Sequence, residues 1–268
     1  MANTESVNPL LSAKTALPTI HVAPAGGTSA TTWQIMPSTT GMFNTVGETP
    51  IDPDVLDTYR EFTNSIAGVL QRYEAAMREM VVRFEILDKD FSLRRNRNPI
   101  HHIESRIKEP VSIYEKLLRY GKRPTIGNLE EYLMDVAGVR VICSYVNDVY
   151  SLVELLRSQD DLEIVRIKDY IKNPKANGYR SLHAIVRIPV YFMDSKQMVP
   201  VEVQIRTIAM NYWASLEHDL KYKAIADMKD VDVVDELKDC SRILENVEQR
   251  MQILADILDA SSDAPLNK

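Results

Sequence analysis

Val201-Glu202-Val203-Gln204-Ile205-Arg206 alternates strictly between apolar and polar residues. That alternation is the signature of a strand, with Val201, Val203 and Ile205 on one face and Glu202, Gln204 and Arg206 on the other. Taken alone it reads as a half-buried strand with a wet polar face. Upstream lies Asn173-Pro174-Lys175-Ala176-Asn177-Gly178-Tyr179-Arg180-Ser181-Leu182-His183, set between two apolar runs. Asn-Pro and Asn-Gly mark a turn region. Gly178 lets the backbone come close to a ligand because it has no Cβ. Lys175 and Arg180 supply donors suited to phosphate, and Tyr179 offers a flat face for a base. By itself this loop reads as a solvated basic connector. Beside the strand it gains another meaning: a carboxylate, an amide and a guanidinium stand in a row next to a basic loop. A metal–phosphate site needs that mixture, an oxygen ligand for Mg²⁺ with donors for phosphate and base.

Working outward, Leu162–Ile167, Leu182–Val190 and Val139–Val146 read as three further strands. Asp194–Gln197 forms a hairpin connection, and a helix capped by Asn147 follows the strand at Val139. Before the strands, Ile51-Asp52-Pro53 looks like a helix entry, with Asp52 as cap and Pro53 at the first position. Apolar residues at spacings of three and four carry that helix towards Leu87. Arg94–Pro99 reads as a polar linker. A second helix is expected from near His102 to before Gly121, broken or kinked at Pro110. Asn128 caps a short helix through Asp135. After the strands come a helix from Thr207 to about Lys223 and a last one from about Val231 to Asp259. This order implies an α+β fold: a mixed sheet flanked by helices, with long N- and C-terminal helices, rather than a doubly wound parallel sheet.

Residues 1–50 differ in character. Glu5, Lys14 and Glu48 are their only formally charged side chains, and Thr, Ser, Pro, Ala and Gly dominate. That composition reads as a flexible low-charge tail, leaving 51–268 as one folded domain. The whole chain has 268 residues, 45% hydrophobic and 26% charged, ordinary for a globular protein, and a formal net charge of −6 that does not favour general nucleic-acid binding. Positive charge is local, between Arg94 and Arg123 and again between Lys168 and Arg180, which suits a small polyanion such as a nucleotide or a single-stranded RNA. Two cysteines, Cys143 and Cys240, make neither a metal motif nor a disulfide framework. No apolar run is long enough to span a membrane and no signal peptide is visible, so a cytoplasmic protein is expected.

Five motifs in order carry a family resemblance: Ser105-Arg106-Ile107-Lys108 with Ser112 and Lys116; Asp135-Val136-Ala137-Gly138-Val139-Arg140; Lys175 through Gly178-Tyr179-Arg180-Ser181-Leu182-His183; Val201 through Arg206-Thr207; and Asn211-Tyr212-Trp213-Ala214 with Glu217-His218 and Lys221-Tyr222-Lys223. Together, over about residues 53–260, they resemble the synthetase domain of the RelA/SpoT-type GTP pyrophosphokinases, in particular the stand-alone, RelQ-like small alarmone synthetases. The resemblance implies a nucleotidyltransferase-like fold. It implies transfer of the β,γ-pyrophosphate of ATP to the ribose 3′-OH of GDP or GTP, giving ppGpp or pppGpp and AMP, in the stringent response. Asp135 and Glu202 resemble the family's acidic pair, which implies that Asp135 holds Mg²⁺ and that Glu202 sits by the metal and helps to deprotonate the 3′-OH. Arg106 and Arg140 look like the pair that sandwiches adenine, and Lys108, Ser112 and Lys116 like phosphate contacts of ATP. Tyr179 resembles the residue that stacks on guanine. Lys175, His183, Gln204 and Asn211 line up with acceptor-nucleotide contacts. Lys168 stands where relatives often carry an arginine near the phosphates. The resemblance also implies a homo-oligomer, a tetramer in some relatives, and no hydrolase domain.

Each of these residues also has a structural reading. Arg140 could be the exposed face of a strand, Asp135 a helix-end residue, His183 a satisfied core imidazole, and Tyr212 and Trp213 core aromatics. A second function class is open: a catalytically weak homologue that binds nucleotide or single-stranded RNA as a regulatory module. Retention of both Asp135 and Glu202 argues against it, because a pure binder has no need of two acids beside phosphate.

Overall fold

The computed structural model describes residues 53–95, 97–227 and 233–262. The tail expected over 1–50 and the cap expected at Asp52 lie outside the described residues. Helix α1 (Pro53–Arg95) is followed by strand β1 (Ile100–Ile107), helices α2 (Pro110–Arg119) and α3 (Ile126–Tyr132), strand β2 (Ala137–Cys143) and helix α4 (Val146–Arg157). Then come β3 (Glu163–Asp169), β4 (Leu182–Tyr191), β5 (Lys196–Thr207), α5 (Ile208–Asp227) and α6 (Val233–Ser262). The five strands form one sheet in the order β1-β2-β5-β4-β3. Only β2 and β5 run parallel; every other neighbouring pair is antiparallel. The mixed sheet with helical cover matches the expected α+β class.

Register turns the alternation of single strands into rows across the sheet. Glu104 pairs with Arg140, Arg140 with Gln204, Gln204 with His183, and His183 with Lys168, so one polar row crosses all five strands. The next row holds Arg106, Gly138, Glu202 and Ile185. Between these rows, Val139, Val203 and Ala184 point to the opposite face and are buried. Helix α1 packs against β1, β2, β4 and β5 on that side. Its buried stripe of Phe62, Ile66, Val69, Tyr73, Ala76, Met80 and Phe84 recurs at spacings of three and four. Burying each larger side chain of the stripe contributes about 1.5–3 kcal/mol, so the stripe is what fixes the sheet's polar face outward.

Several elements differ from the sequence reading. The segment from His102 is not helical: it belongs to edge strand β1, and the helix begins only at Pro110. Ile100, Ile103 and Ile107 carry helical spacing, which is why the segment reads as a helix. A register shift between Ile100 and His102 resets the alternation, and pairing with the free edge of β2 supplies backbone partners that outweigh the pattern. Helix α1 continues to Arg95, beyond Leu87. Asp88 near its end accepts from the Ile100 backbone N–H at 3.0 Å, tying the helix to β1. The cap of α3 is Thr125, whose hydroxyl accepts from Asn128 N at 3.2 Å; Asn128 itself lies inside the helix. Helix α4 starts at Val146, two residues earlier than a cap at Asn147 allows, with Tyr145 at its cap and the Asp148 carboxylate accepting from Tyr145 N. Cys143 is buried in β2, where burial pushes its thiol pKa up.

Candidate active site

The polar face opens into a cleft of about 230 Å³ lined by Glu104, Ser105, Arg106, Lys108, Asp135, Val136, Gly138, Val139, Arg140, Glu202 and Gln204. The sequence places most of these residues far apart; the rows described above bring them together. Asp135 sits just before β2. Its Oδ2 accepts from Lys108 Nζ and Lys116 Nζ, both at 2.5 Å. Lys116 lies on α2, with Ser112 one turn before it and partly exposed on the same helix. Oδ1 of Asp135 is buried without a hydrogen-bond partner. Burial favours the neutral carboxyl, but the two ammonium groups outweigh it and hold Asp135 below its ordinary pKa. On the neighbouring rows Arg140 donates to Glu104 at 2.8 Å, and Arg106 stands exposed beside Gly138.

Glu202 has a different setting. Gln204 Nε2 donates to its Oε2 at 3.0 Å, and His183 Nδ1 stands 3.4 Å from its Oε1. Arg206 donates to Gln204 Oε1 at 3.1 Å and to the Tyr179 hydroxyl at 2.5 Å. The Tyr179 hydroxyl in turn meets His183 Nε2 at 2.8 Å. Tyr179, His183, Glu202, Gln204 and Arg206 thus close a ring of polar contacts. A carboxylate facing Nδ1 selects the imidazole tautomer with its proton there, which leaves Nε2 to accept from Tyr179. Burial pushes Glu202 up, but His183 and Gln204 together hold it below its ordinary pKa against that and against repulsion by Asp135.

The loop before β4 hangs on this ring. Lys175 Nζ lies 4.7 Å from the Tyr179 ring centre and 4.9 Å from that of Tyr170. Asn177 donates to Glu217 on α5 at 2.9 Å and accepts from Tyr179 N. Asn211, on the first turn of α5, has its Oδ1 buried without a partner. Lys168 is exposed on β3 beside His183. Arg180 corrects an expectation: it does not face the cleft as a phosphate donor but is buried against Glu248 at 2.6 Å, because two acids on α6 draw it inward. Trp213 is core, donating to Leu237 O at 2.7 Å, whereas Tyr212 is exposed.

Residues 105–227 match the family model described as a region found in RelA / SpoT proteins. GTP pyrophosphokinase YwaC of Bacillus subtilis is 42% identical over 179 residues, 67% of this chain and 85% of that one. The chain belongs to the RelA/SpoT family. The crystal structure of small alarmone synthetase 2 from Bacillus subtilis superposes with a TM-score of 0.62 at 40% identity, over 70% of this chain and 97% of that one. Small alarmone synthetase 1 from the same organism, bound to its product pppGpp, gives a TM-score of 0.64 at 29% identity, over 73% and 98%.

Within this RelA/SpoT fold the two acids fit a divalent cation. Mg²⁺ takes one or two carboxylates and completes its shell with phosphate and water. The orphaned Oδ1 of Asp135 and the cleft-facing carboxylate of Glu202 match that demand. Glu104 is the cleft residue that sequence reading missed. Its signal was present, since Glu104 and Arg106 alternate as strand residues do, but the isoleucine spacing masked it. From the sequence Arg206 reads as a cleft guanidinium beside the basic loop; its closure of the ring is visible only in the fold.

Proposed function

We propose that the chain is a (p)ppGpp synthetase, which moves the β,γ-pyrophosphate of ATP to the ribose 3′-OH of GDP or GTP and releases AMP. In that reaction the bond between the 3′-oxygen and the β-phosphorus forms as the α,β-bridging bond breaks. Family membership supports the activity, and the observation that carries the residue-level reading is the pair of acids on one cleft. Arg106 and Arg140 would flank adenine, and Lys108, Lys116 and Ser112 would take its phosphates. A triphosphate offers the two lysines a stronger partner than Asp135 and so frees its carboxylate for Mg²⁺. When bound, Mg²⁺ would neutralise charge on the phosphate oxygens. Glu202, charged because its pKa is lowered, would take the proton of the 3′-OH as that oxygen attacks the β-phosphorus. Tyr179, Lys175, His183, Gln204, Asn211 and Lys168 would hold the acceptor nucleotide.

The reading extends further. The exposed stripe of Ile243, Val247, Met251, Leu254 and Leu258 on α6 supports a homo-oligomer. Single-stranded RNA is the candidate regulatory partner of the basic residues between Arg94 and Arg123. A cytoplasmic location follows from the nucleotide substrates; among the described residues no helix is long and apolar enough to cross a membrane. Incubation with ATP labelled in the β-phosphate, GDP and Mg²⁺ tests the activity. Labelled guanosine tetraphosphate with equimolar AMP is expected. Nucleotide binding without any transfer would return the chain to the regulatory-module reading.

A further inference from the structure

Helix α6 lines none of the cleft, yet it grips the loop that carries Tyr179 on both sides of that residue. On one side, Ser241 Oγ donates to the Gly178 carbonyl at 2.6 Å, and Ser241 is only 7% exposed. Gly178 adopts φ +89°, and a Cβ there would fall 2.9 Å from Ser241 Cβ and 3.0 Å from Lys238 Cα. The loop backbone therefore lies directly on the helix, in a conformation glycine alone adopts without strain. On the other side, Arg180 donates to Glu248 at 2.6 Å, with the two side chains 7% and 9% exposed. The second oxygen of Glu248 accepts from Thr207 at the end of β5. Glu248 thus joins the loop to the strand that carries Glu202, Gln204 and Arg206.

We propose that Ser241 and Glu248 are positioning residues for the acceptor nucleotide. They fix the backbone at Gly178 and Arg180, and so set the direction in which Tyr179 presents its ring and Lys175 its ammonium group. A loop anchored only by its own contacts would have to be ordered by the ligand, at a cost in affinity. The inference rests on the reading that this loop takes the guanine nucleotide. Its consequence is selective, because the ATP-side residues come from β1, α2 and the approach to β2, which α6 does not hold.

The test is steady-state kinetics on full-length Ser241→Ala and Glu248→Gln, varying each nucleotide in turn. The KM for GDP is expected to rise roughly tenfold, the scale of coupling between contacting residues, while the KM for ATP stays within about twofold. Ser241→Ala combined with Tyr179→Ala is expected to add little to the effect of Tyr179→Ala alone, since Ser241 acts through the loop. Equal rises in both KM values, or full additivity in the double variant, overturn the proposal. Should Glu248→Gln fail to fold, Ser241→Ala, which removes one hydroxyl, decides by the same criteria. A wild-type chain that makes no transfer product overturns the acceptor reading and this inference together. An active wild type whose variants show no split overturns the inference alone.

Discussion

Asp135 and Glu202, two of the three acids that line the cleft, stand on neighbouring segments but are built differently. Asp135 is held by two ammonium groups on one oxygen and by nothing on the other. Glu202 belongs to a closed ring in which Gln204, Arg206, Tyr179 and His183 each contact the next. The side formed by β1, α2 and β2 is thus a set of charges that a ligand completes. The side formed by β4, β5 and the Asn173–His183 loop is fixed by its own side chains and braced from outside by α6. Charges awaiting a polyphosphate suit the donor, whose binding is mostly charge neutralisation. A preorganised pocket suits the acceptor, whose hydroxyl has to be aimed.

The largest effects fall on the acids, and the comparison predicts that they fail in different ways. Glu202→Gln keeps the shape and one hydrogen bond but removes the charge proposed to take the 3′-OH proton. Turnover is expected to drop by about 10² or more, the scale of a positioned acid–base group, with nucleotide affinity little changed. Asp135→Asn is expected to lose as much turnover through weaker metal binding, and excess Mg²⁺ should restore part of it. The measurement is turnover against Mg²⁺ concentration, with circular dichroism as a control for folding. Rescue of Glu202→Gln by Mg²⁺, and none for Asp135→Asn, would reverse the assignment of the two sides.

Tyr179 tests the preorganised side. If its ring stacks on guanine, Tyr179→Ala gives up roughly 1–3 kcal/mol of binding, which appears as a KM for GDP raised about ten- to hundredfold with the KM for ATP unmoved. Tyr179→Phe keeps the ring and removes the hydroxyl that joins Arg206 to His183. It is expected to bind GDP nearly normally while turnover falls, because Glu202 loses the support behind His183. A Phe variant as weak for GDP as the Ala variant would mean that the hydroxyl, not the ring, serves the acceptor.

The sequence made one side of this comparison more legible than the other. Alternation in β5 put Glu202 and Gln204 on one face, and the structure keeps them there. Strands β2 to β5 and helix α4 fall within a few residues of their expected bounds, because each combines a clear period with punctuating turns. Strand β1 reads as a helix, since Ile100, Ile103 and Ile107 imitate one and only the pairing with β2 reveals the strand. Glu104 was lost with it. Alternation reports which way a side chain points but not which partner it meets. Arg180 and Arg206 therefore read as cleft cations, although one is bound to α6 and the other is buried inside the ring. Ser241 and Glu248 looked like ordinary helix positions, because no local pattern records a loop arriving from elsewhere in the chain.

Acid titration tests what the two sides share, a carboxyl held charged in the fold. Both carboxyls have folded pKa values below the ordinary range, Asp135 through its lysines and Glu202 through His183 and Gln204, each against the upward push of burial. A lowered folded pKa means that the native state binds fewer protons than the unfolded chain. The stabilisation is therefore complete above the unfolded value of about 4 and is lost as pH falls through the lowered folded value. The melting temperature of the wild type should decline on the acid side of that range. Asp135→Asn and Glu202→Gln should each show a shallower decline, read by thermal denaturation between neutral and acid pH. A variant whose acid limb runs parallel to the wild type would show that its carboxyl pairs no better in the fold than in the unfolded chain.

The smallest effect concerns Glu104, and it asks how open the donor side is. Glu104 accepts from Arg140 across the β1–β2 pair, and both side chains are partly exposed. A pair in that setting is worth only about 0.2–1 kcal/mol, so its removal should not disturb the fold. Its role in the cleft would be to keep the Arg140 guanidinium in one plane while the adenine site is empty. Glu104→Gln retains a hydrogen-bond acceptor but not the charge, and leaves Arg140 freer to turn. The KM for ATP is expected to rise by about two- to fivefold, matching that range of energies, with turnover and the KM for GDP unchanged. Raising the ionic strength should shrink the difference, since a partly exposed pair is screened by salt. A larger loss, or one carried by turnover, would mean that the donor side is as tightly preorganised as the ring around Glu202, and the contrast between the two acids would then reduce to the two lysines on Asp135.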